Sequence, residues 1–257
     1  MIPEQENLLS SVKNAIRILR SFKMDQPQKG VRELAAELGL GKSSVQRILV
    51  TLASEGLVHK NIETNKYELG LSVVELSSIV LGNIDLHTES LPILKKLAFN
   101  CGETAHLAIL EDSQIVYLGK VESEGSSQVK SHLGFHNYAH CTSSGKLLLA
   151  HSDNYFVELI LQNGLDSLTP HTITNPDIFR KELKTILNQG YSVSVGEYNL
   201  GVTSVSAPVR DYSGKVIAAI NLVGPSPRFS KQRIHYFASE LIRSGDLISE
   251  RLGYWKR

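Results

Sequence analysis

Between Gly30 and Gly56 the chain reads GVRELAAELGLGKSSVQRILVTLASEG, and its apolar positions recur at helical spacing. Val31, Leu34, Ala35 and Leu38 fall at i, i+3, i+4 and i+7, which predicts one amphipathic helix. Gly39 suits the left-handed residue that closes such a helix, with Leu40 behind it for the usual hydrophobic contact. Val45, Ile48, Leu49 and Leu52 form a second stripe, on a helix predicted to start at Ser43. Ser43 and Gln46 have the S-x-x-Q spacing of a capping box there. Ser44, Arg47 and Thr51 fall on the opposite, polar face. Upstream, residues 1–9 read as a polar arm. Ser10 or Ser11 then caps a helix through about Phe22, with Val12, Ala15, Ile16 and Leu19 on one side. Pro27 and Gly30 punctuate the loop that follows. Downstream, Leu57 and Val58, then Tyr67 and Leu69, bracket the turn-like NIETN. That predicts a short hairpin directly behind the second helix of the pair, in the position of a wing.

Three helices and a wing describe a winged helix-turn-helix over residues 1–70. The second helix of such a pair enters the major groove with its N-terminal residues at the base edges. Lys42, Ser43, Ser44, Gln46, Arg47 and Thr51 are therefore candidates for DNA contact, and Arg47 is the side chain able to grip guanine bidentately. Arg32 joins them, and Lys60, Asn61, Asn65 and Lys66 on the wing are placed to touch phosphates and set the register.

The pattern then changes. Leu71 to Leu81 is helical and apolar nearly all round, so it must be covered by a core or by a partner chain. A second helix runs from about Leu86 to Asn100, with Leu91, Leu94, Leu97 and Ala98 inward. The chain divides near Gly82 into residues 1–70, a linker helix over 71–85 and a second domain over 86–257. In that domain Thr104–Leu110 and Ile115–Val121 flank a hairpin turn, and residues 127–132 suggest another strand. Helices are predicted from Ser144 to Ala150, Tyr155 to Gln162 and Asp177 to Asn188. Strands at Thr203–Val209 and Lys215–Val223 surround a Ser213-Gly214 turn, and a long helix from Lys231 to Leu252 closes the chain. Hairpins with helices between them indicate an α+β domain with a mostly antiparallel sheet.

The 257 residues are about right for two domains. With 42% hydrophobic and 21% charged residues the composition is that of an ordinary globular protein. The formal net charge is only +1, yet ten basic and five acidic side chains lie between Ser10 and Lys66. The basic excess sits where the DNA-facing helices are predicted, and the remainder is net acidic. No apolar run is long enough to span a bilayer and no secretory signal opens the chain, so a cytoplasmic location is expected. Two cysteines, Cys101 and Cys141, are too few for a disulfide framework.

Two other chemistries compete for the same residues. Cys141 adjoins His140, with His136, Ser143 and Ser144 nearby, but neighbouring residues on a strand point to opposite faces, which leaves His140 badly placed to activate the thiol. His106, His136, His140, His151 and the cysteines lack the short ligand spacings of a zinc site. The expectation is therefore no enzyme, no metal and no cofactor. The short tail Arg251 to Arg257, with Tyr254 and Trp255, reads as a frayed terminus rather than an anchor. The competing reading is a metabolite-binding protein or enzyme that uses the C-terminal domain with no DNA role.

The whole chain resembles the IclR family of transcriptional regulators. The resemblance runs from SVKNAIRILRSF through ELAAELGLGKSSVQRILVTLASEGLV to KYELG. It resumes in AHCTSSGKLLLA, NQGYSV, EYNLGVTSVSAPVRDYSGKVIAAINLVGP and the closing helix. It implies a linker helix that dimerises, a GAF-like α+β effector-binding domain, homodimers or dimers of dimers on operator double-stranded DNA, and control by a small organic or aromatic acid. The AHCTSSGK motif implies backbone N–H groups at a helix start facing the acid, at Ser143, Ser144 and Gly145, as suits an anion. Ser194, Val202, Ser204, Asn221 and Val223 are implied as further lining residues, and Leu107, Ile109 and Leu133 as apolar walls. Ser194 stands where the family often carries an acid, and Val223 where it commonly carries a small polar residue.

Overall fold

The computed structural model describes residues 9–76, 85–123 and 133–255. The chain divides into two compact units, Met1–Asn83 and Ile84–Arg257.

The first unit holds helices α1 (Ser10–Ser21), α2 (Val31–Leu38) and α3 (Lys42–Ser54), then the short antiparallel strands β1 (Val58–Lys60) and β2 (Tyr67–Leu69). Ile18, Leu34, Ala35, Val45, Leu49, Leu52, Val58 and Tyr67 make its core. Gly39 ends α2 in the left-handed region, at φ 66°. Two expectations fail here. α1 turns Ile18, with Phe22 just beyond its end, into the core and leaves Val12 and Ile16 about half exposed. The reason is that Ala15, Ile18, Leu19 and Phe22 form the stripe that meets α3, one step round from the predicted one. The Ser43–Gln46 capping box does not form either: α3 begins one residue earlier, at Lys42, behind Gly41, with no side-chain cap. Half of a capping box is instead found on α2, where the Gly30 N–H donates to Glu33 Oε2 at 2.8 Å. Residues 72–76 are helical, as expected of the linker, and Leu71 and Leu76 are exposed. The rest of the predicted linker helix, and the strand predicted over 127–132, lie outside the described residues.

The second unit is a three-layer α+β domain. Its sheet has six antiparallel strands in the order β5-β4-β3-β8-β7-β6. These are β3 (Thr104–Glu111), β4 (Gln114–Val121), β5 (His136–Tyr138), β6 (Ser192–Val195), β7 (Val202–Arg210) and β8 (Val216–Pro225). The edge strands β5 and β6 are too short to announce themselves by periodicity. One face packs on α4 (Asp85–Cys101) and α8 (Lys231–Arg251), through Leu94, Leu97, Leu107, Val205, Ala207, Ile220, Leu222, Phe237 and Leu241. The other carries α5 (Ser143–Ala150), α6 (Asn154–Gln162) and α7 (Pro176–Gln189), through Ala108, Ile115, Leu147, Leu149, Val157, Phe179 and Ile186. After α8, Tyr254 folds back onto Gly214, so the tail is packed at least that far.

The α5 helix sits very close to the chain before it. Thr142 caps it, its Oγ1 accepting from the Gly145 N–H at 3.2 Å. A Cβ on Gly145 would run into the backbone of Ala139. Gly145→Ala therefore overpacks a buried backbone contact and should destabilise the C-terminal unit by about 1–3 kcal/mol or more. A thermal melt of the purified variant checks this: an unchanged midpoint would show that α5 can back away without cost.

Candidate functional site

Two places gather the residues that the sequence singles out, one in each unit. In the first, α3 presents Lys42, Ser43, Ser44, Gln46, Arg47 and Thr51 to solvent, while Val45, Leu49 and Leu52 hold its other side in the core. Among the described residues the Arg47 guanidinium has no hydrogen-bond or ion-pair partner, and Arg32 is likewise exposed and unpaired. With Ser44 and Thr51, Arg47 borders an open groove whose other wall is the first turns of α1, from Ser10 to Ala15. Thr51 Oγ1 returns its proton to the Arg47 carbonyl at 3.1 Å. The Gln46 amide leans back to the Tyr67 hydroxyl at 3.3 Å, so it braces α3 against the wing.

The wing is tied down from several sides. Lys29 and Tyr67 exchange two backbone hydrogen bonds of 2.9 Å. Gln28 reaches Glu68 at 2.8 Å and Thr64 at 3.1 Å. Asn61 Oδ1 accepts from the N–H groups of Glu63 and Thr64 at 3.0 Å each, which fixes the turn. Asn65 adopts the left-handed region at φ 56°. Of the four predicted wing contacts, Lys60 and Asn65 are exposed and Asn61 is half-buried by its turn role. Lys66 already pairs with Glu33 at 2.9 Å. The hydrogen bond from Gly30 and the Lys66 ammonium hold the Glu33 carboxyl below its ordinary range. Ile62, which the sequence pattern does not single out, is 92% exposed at the wing tip.

In the second unit a cavity of about 60 Å³ opens between β4, β6, β7, β8 and the start of α5. Ser194, Val202, Ser204, Asn221 and Val223 line it, with Tyr117, Asn137, Cys141, Thr142, Tyr198 and Asn199, which the sequence alone does not point to. The space is that of a few waters, well under the ~150 Å³ that admits benzene. Among the described residues no lining side chain carries a charge. Instead the walls offer amides and hydroxyls, with the Cys141 thiol and the two valines between them.

The other predicted lining residues stand elsewhere. Leu107 and Ile109 point to the opposite face of the sheet, against α4 and α8. Leu133 is half exposed and does not reach the cavity. Ser143 and Ser144 are buried, and their hydroxyls meet Ser206 Oγ at 2.6 and 3.1 Å. Gly145 serves the close packing on Ala139. Thr142, rather than these three, brings the start of α5 to the cavity wall. Ser194 donates to the Cys141 carbonyl at 3.0 Å, which joins β6 to the same wall.

Residues 78–250 match the family model for the C-terminal domain of the bacterial transcriptional regulator IclR, and residues 11–61 match the IclR helix-turn-helix domain. The chain belongs to the IclR family of bacterial transcriptional regulators. Among curated relatives, the HTH-type transcriptional regulator KdgR of Dickeya chrysanthemi is 32% identical over 254 residues, covering 98% of this chain and 83% of that protein. Among solved structures, an IclR regulator from Alicyclobacillus acidocaldarius superposes with a TM-score of 0.86 at 26% identity, covering 96% of this chain and all of that one. An IclR homologue from Microbacterium hydrocarbonoxydans, solved with 4-hydroxybenzoate, superposes with a TM-score of 0.85 over 95% of this chain and 99% of that one. Its identity is 24%, and the likeness speaks to the fold alone.

IclR-type proteins are regulators, not enzymes, and the chemistry around Cys141 agrees with that. Burial pushes the Cys141 thiol up to about 12, so it stays protonated. His140 turns away to the Asp166 carbonyl at 2.9 Å. Among the described residues no three of His, Cys, Asp and Glu converge as metal ligands. In this IclR-type domain a buried ion-pair cluster holds the loop beside the cavity. Lys146, 1% exposed, pairs with Glu197 at 2.6 Å and Glu182 at 2.8 Å. Thr169 and Thr172 donate to the carbonyls of Gly196 and Glu197, each at 2.6 Å. These bonds seat the loop that carries Tyr198 and Asn199 over the cavity.

His106 lies beneath the cavity floor. Burial drives its pKa down to about 3, against the opposing pull of its hydrogen bond to Asn221. The folded state therefore binds fewer protons than the unfolded state between about pH 3 and 6.5. The stability held in neutral His106 is fully present above that window and lost as pH falls through it, at up to about 1.4 kcal/mol per pH unit. Chemical denaturation of wild type and His106→Gln between pH 7 and pH 4 reads this out. The wild type should lose more stability than the variant over that range, and parallel losses would exclude a buried neutral histidine.

Proposed function

We propose that the chain is a dimeric, effector-controlled transcriptional regulator that reads operator DNA with α3 and the wing. We further propose that a small organic acid, bound in the C-terminal cavity, controls that reading. The observation that carries it is the exposed polar face of α3. Arg47 stands there among Ser44, Lys42 and Thr51 with no partner among the described residues, on a helix held in the core by Val45, Leu49 and Leu52. Such a side chain suits a bidentate contact to guanine, with Arg32, Lys60 and Asn65 on phosphates. Lys66 and Asn61 contribute mainly by holding the wing in place.

The exposed Leu71 and Leu76 favour a partner chain along the linker. Two heads related by a two-fold axis read half-sites one or two helical turns apart. The site of action is then the cytoplasm, where the DNA is.

For the ligand, the described residues of the cavity supply neutral donors and the start of α5 rather than a cation. The first four N–H groups of a helix have no helical acceptor, of which the Gly145 N–H is taken here by Thr142, and the helix dipole favours an anion beside the rest. The cavity volume favours a small aliphatic acid over an aromatic one. Binding controls DNA only to the extent that the acid prefers one arrangement of the heads.

Gel retardation with the DNA upstream of the protein's own gene tests the first half. Arg47→Ala should weaken specific retention at least tenfold, in line with the ~1–3 kcal/mol of one bidentate base contact, and leave the oligomer intact. Unchanged retention at moderate salt would remove α3 from the base edges. A thermal-shift panel tests the second half. Small aliphatic acids should raise the melting temperature and benzoates should not; the reverse order would mean that the cavity is not the effector site.

A further inference from the structure

His106 makes no contact that either proposed binding role requires, yet it is 1% exposed beneath the cavity floor. Its Nδ1 lies 3.0 Å from Asn221 Oδ1. Its ring stacks on Tyr117, with centroids 4.5 Å apart and planes 29° apart. Strand pairing puts it there. His106 is the cross-strand partner of Asn221 on β8, while β4, on the other side of β3, carries Tyr117 opposite Ala108. Asn221 and Tyr117 both line the cavity. The Asn221 amide also favours the charged form of the Tyr117 phenol, against the larger rise that burial causes.

The directions of these bonds follow from the groups. An amide oxygen only accepts, so the His106 proton sits on Nδ1. With Oδ1 turned to His106, the Asn221 amide NH₂ is left to donate, in the cavity that the Tyr117 phenol also lines. The phenol keeps one proton, which is free to point into the cavity. Burial holds the phenol far above any physiological pH, so that proton stays on.

We propose that Tyr117 is a specificity-determining donor to the effector, and that His106 is a positioning residue that fixes its direction through Asn221. The ligand group at this wall is then an acceptor oxygen, of a carboxylate or a carbonyl, and an ammonium end is rejected. This rests on the reading of the cavity as the effector site. It adds a residue and a polarity: the chain of donors runs one way, from His106 through Asn221 and Tyr117 to the ligand.

The test uses the full chain with pyruvate as probe, a small acid with both a carboxylate and a carbonyl oxygen. Calorimetric titration should show binding by wild type and a loss of at least about tenfold in Tyr117→Phe, because a buried acceptor loses its donor. His106→Leu should match that loss, while His106→Gln, which restores an N–H donor, should recover most of it. Equal affinity in wild type, Tyr117→Phe and His106→Leu would overturn the proposal. Nitrogen-15 imidazole spectra of the ligand-free protein form the second arm. A neutral His106 with its proton on Nδ1 from pH 5 to 8 is expected, and a proton on Nε2 instead would overturn the relay whatever binds. If wild type fails to bind pyruvate while the Nδ1 proton is in place, the effector-site reading is what has failed, and the donor role falls with it.

Discussion

Neighbouring side chains on a β-strand must leave by opposite faces, and β3, β7 and β8 use that constraint to separate two kinds of work. On one face Leu107, Val205, Ala207, Ile220 and Leu222 bury against α4 and α8. On the other, Ser204, Asn221 and Val223 line a polar cavity, with His106 and Ser206 on the same face behind them. The apolar face stabilises the domain, at roughly 25 cal/mol per Å² of area removed from water. The polar face sacrifices part of that gain; its serines hydrogen-bond to one another and to nearby carbonyls, while Thr104 Oγ1 is left without a partner among the described residues. Ser143, Ser144 and Ser206 bond to one another, Ser192 reaches the Ser143 carbonyl at 2.5 Å, and Ser194 reaches that of Cys141. Buried polar groups of this kind are mostly satisfied in folded proteins.

The same reasoning governs the ion pair behind the cavity. Lys146 is bound by two carboxylates in an almost dry site, where removing one partner from a buried pair costs about 3–5 kcal/mol. It joins α5, α7 and the β6–β7 loop, so the cavity's roof and its helical wall are fixed by one side chain. A ligand that bonds to Tyr198, Asn199 or Thr142 therefore acts on elements already held together. That arrangement suits the transmission of a small displacement better than its absorption. In the DNA-binding unit the wing is braced with equal density, by Gln28, Lys29, Asn61 and Gln46, so that the exposed side of α3 is presented in a fixed relation to it.

Much of this is legible in the sequence. The paired helices, Gly39, the wing and both central hairpins follow from periodicity and turn chemistry, because a helix or strand with one buried face writes its period into the chain. Five lining residues follow from motif resemblance at the right strands. The errors have physical sources. The resemblance puts Leu107 and Ile109 at the cavity as apolar walls, although the register that pairs His106 with Asn221 sends both to the far face; strand parity is the available signal. Val12 and Ile16 look inward because an apolar stripe does not say which of two adjacent faces is covered. Ser43 and Gln46 fit a capping pattern, but Gly41 lets the helix start earlier and Gln46 bonds to Tyr67 instead. Tyr117, Tyr198 and Asn199 cannot be found from local pattern, since only tertiary folding brings β4 and the β6–β7 loop to one cavity. Lys66 looks free because its partner, Glu33, is remote in the chain.

The central claim is that the exposed face of α3, duplicated by a two-fold axis, reads a sequence. Selection by the full chain from a pool of random duplexes, at ionic strength near 0.15 M, tests that claim with no operator chosen in advance. Enrichment of a near-palindrome is expected, with half-sites centred about 10 base pairs apart or a multiple of that. A pool that stays random through successive rounds, with retention that vanishes as salt is raised, would leave only phosphate attraction and contradict it.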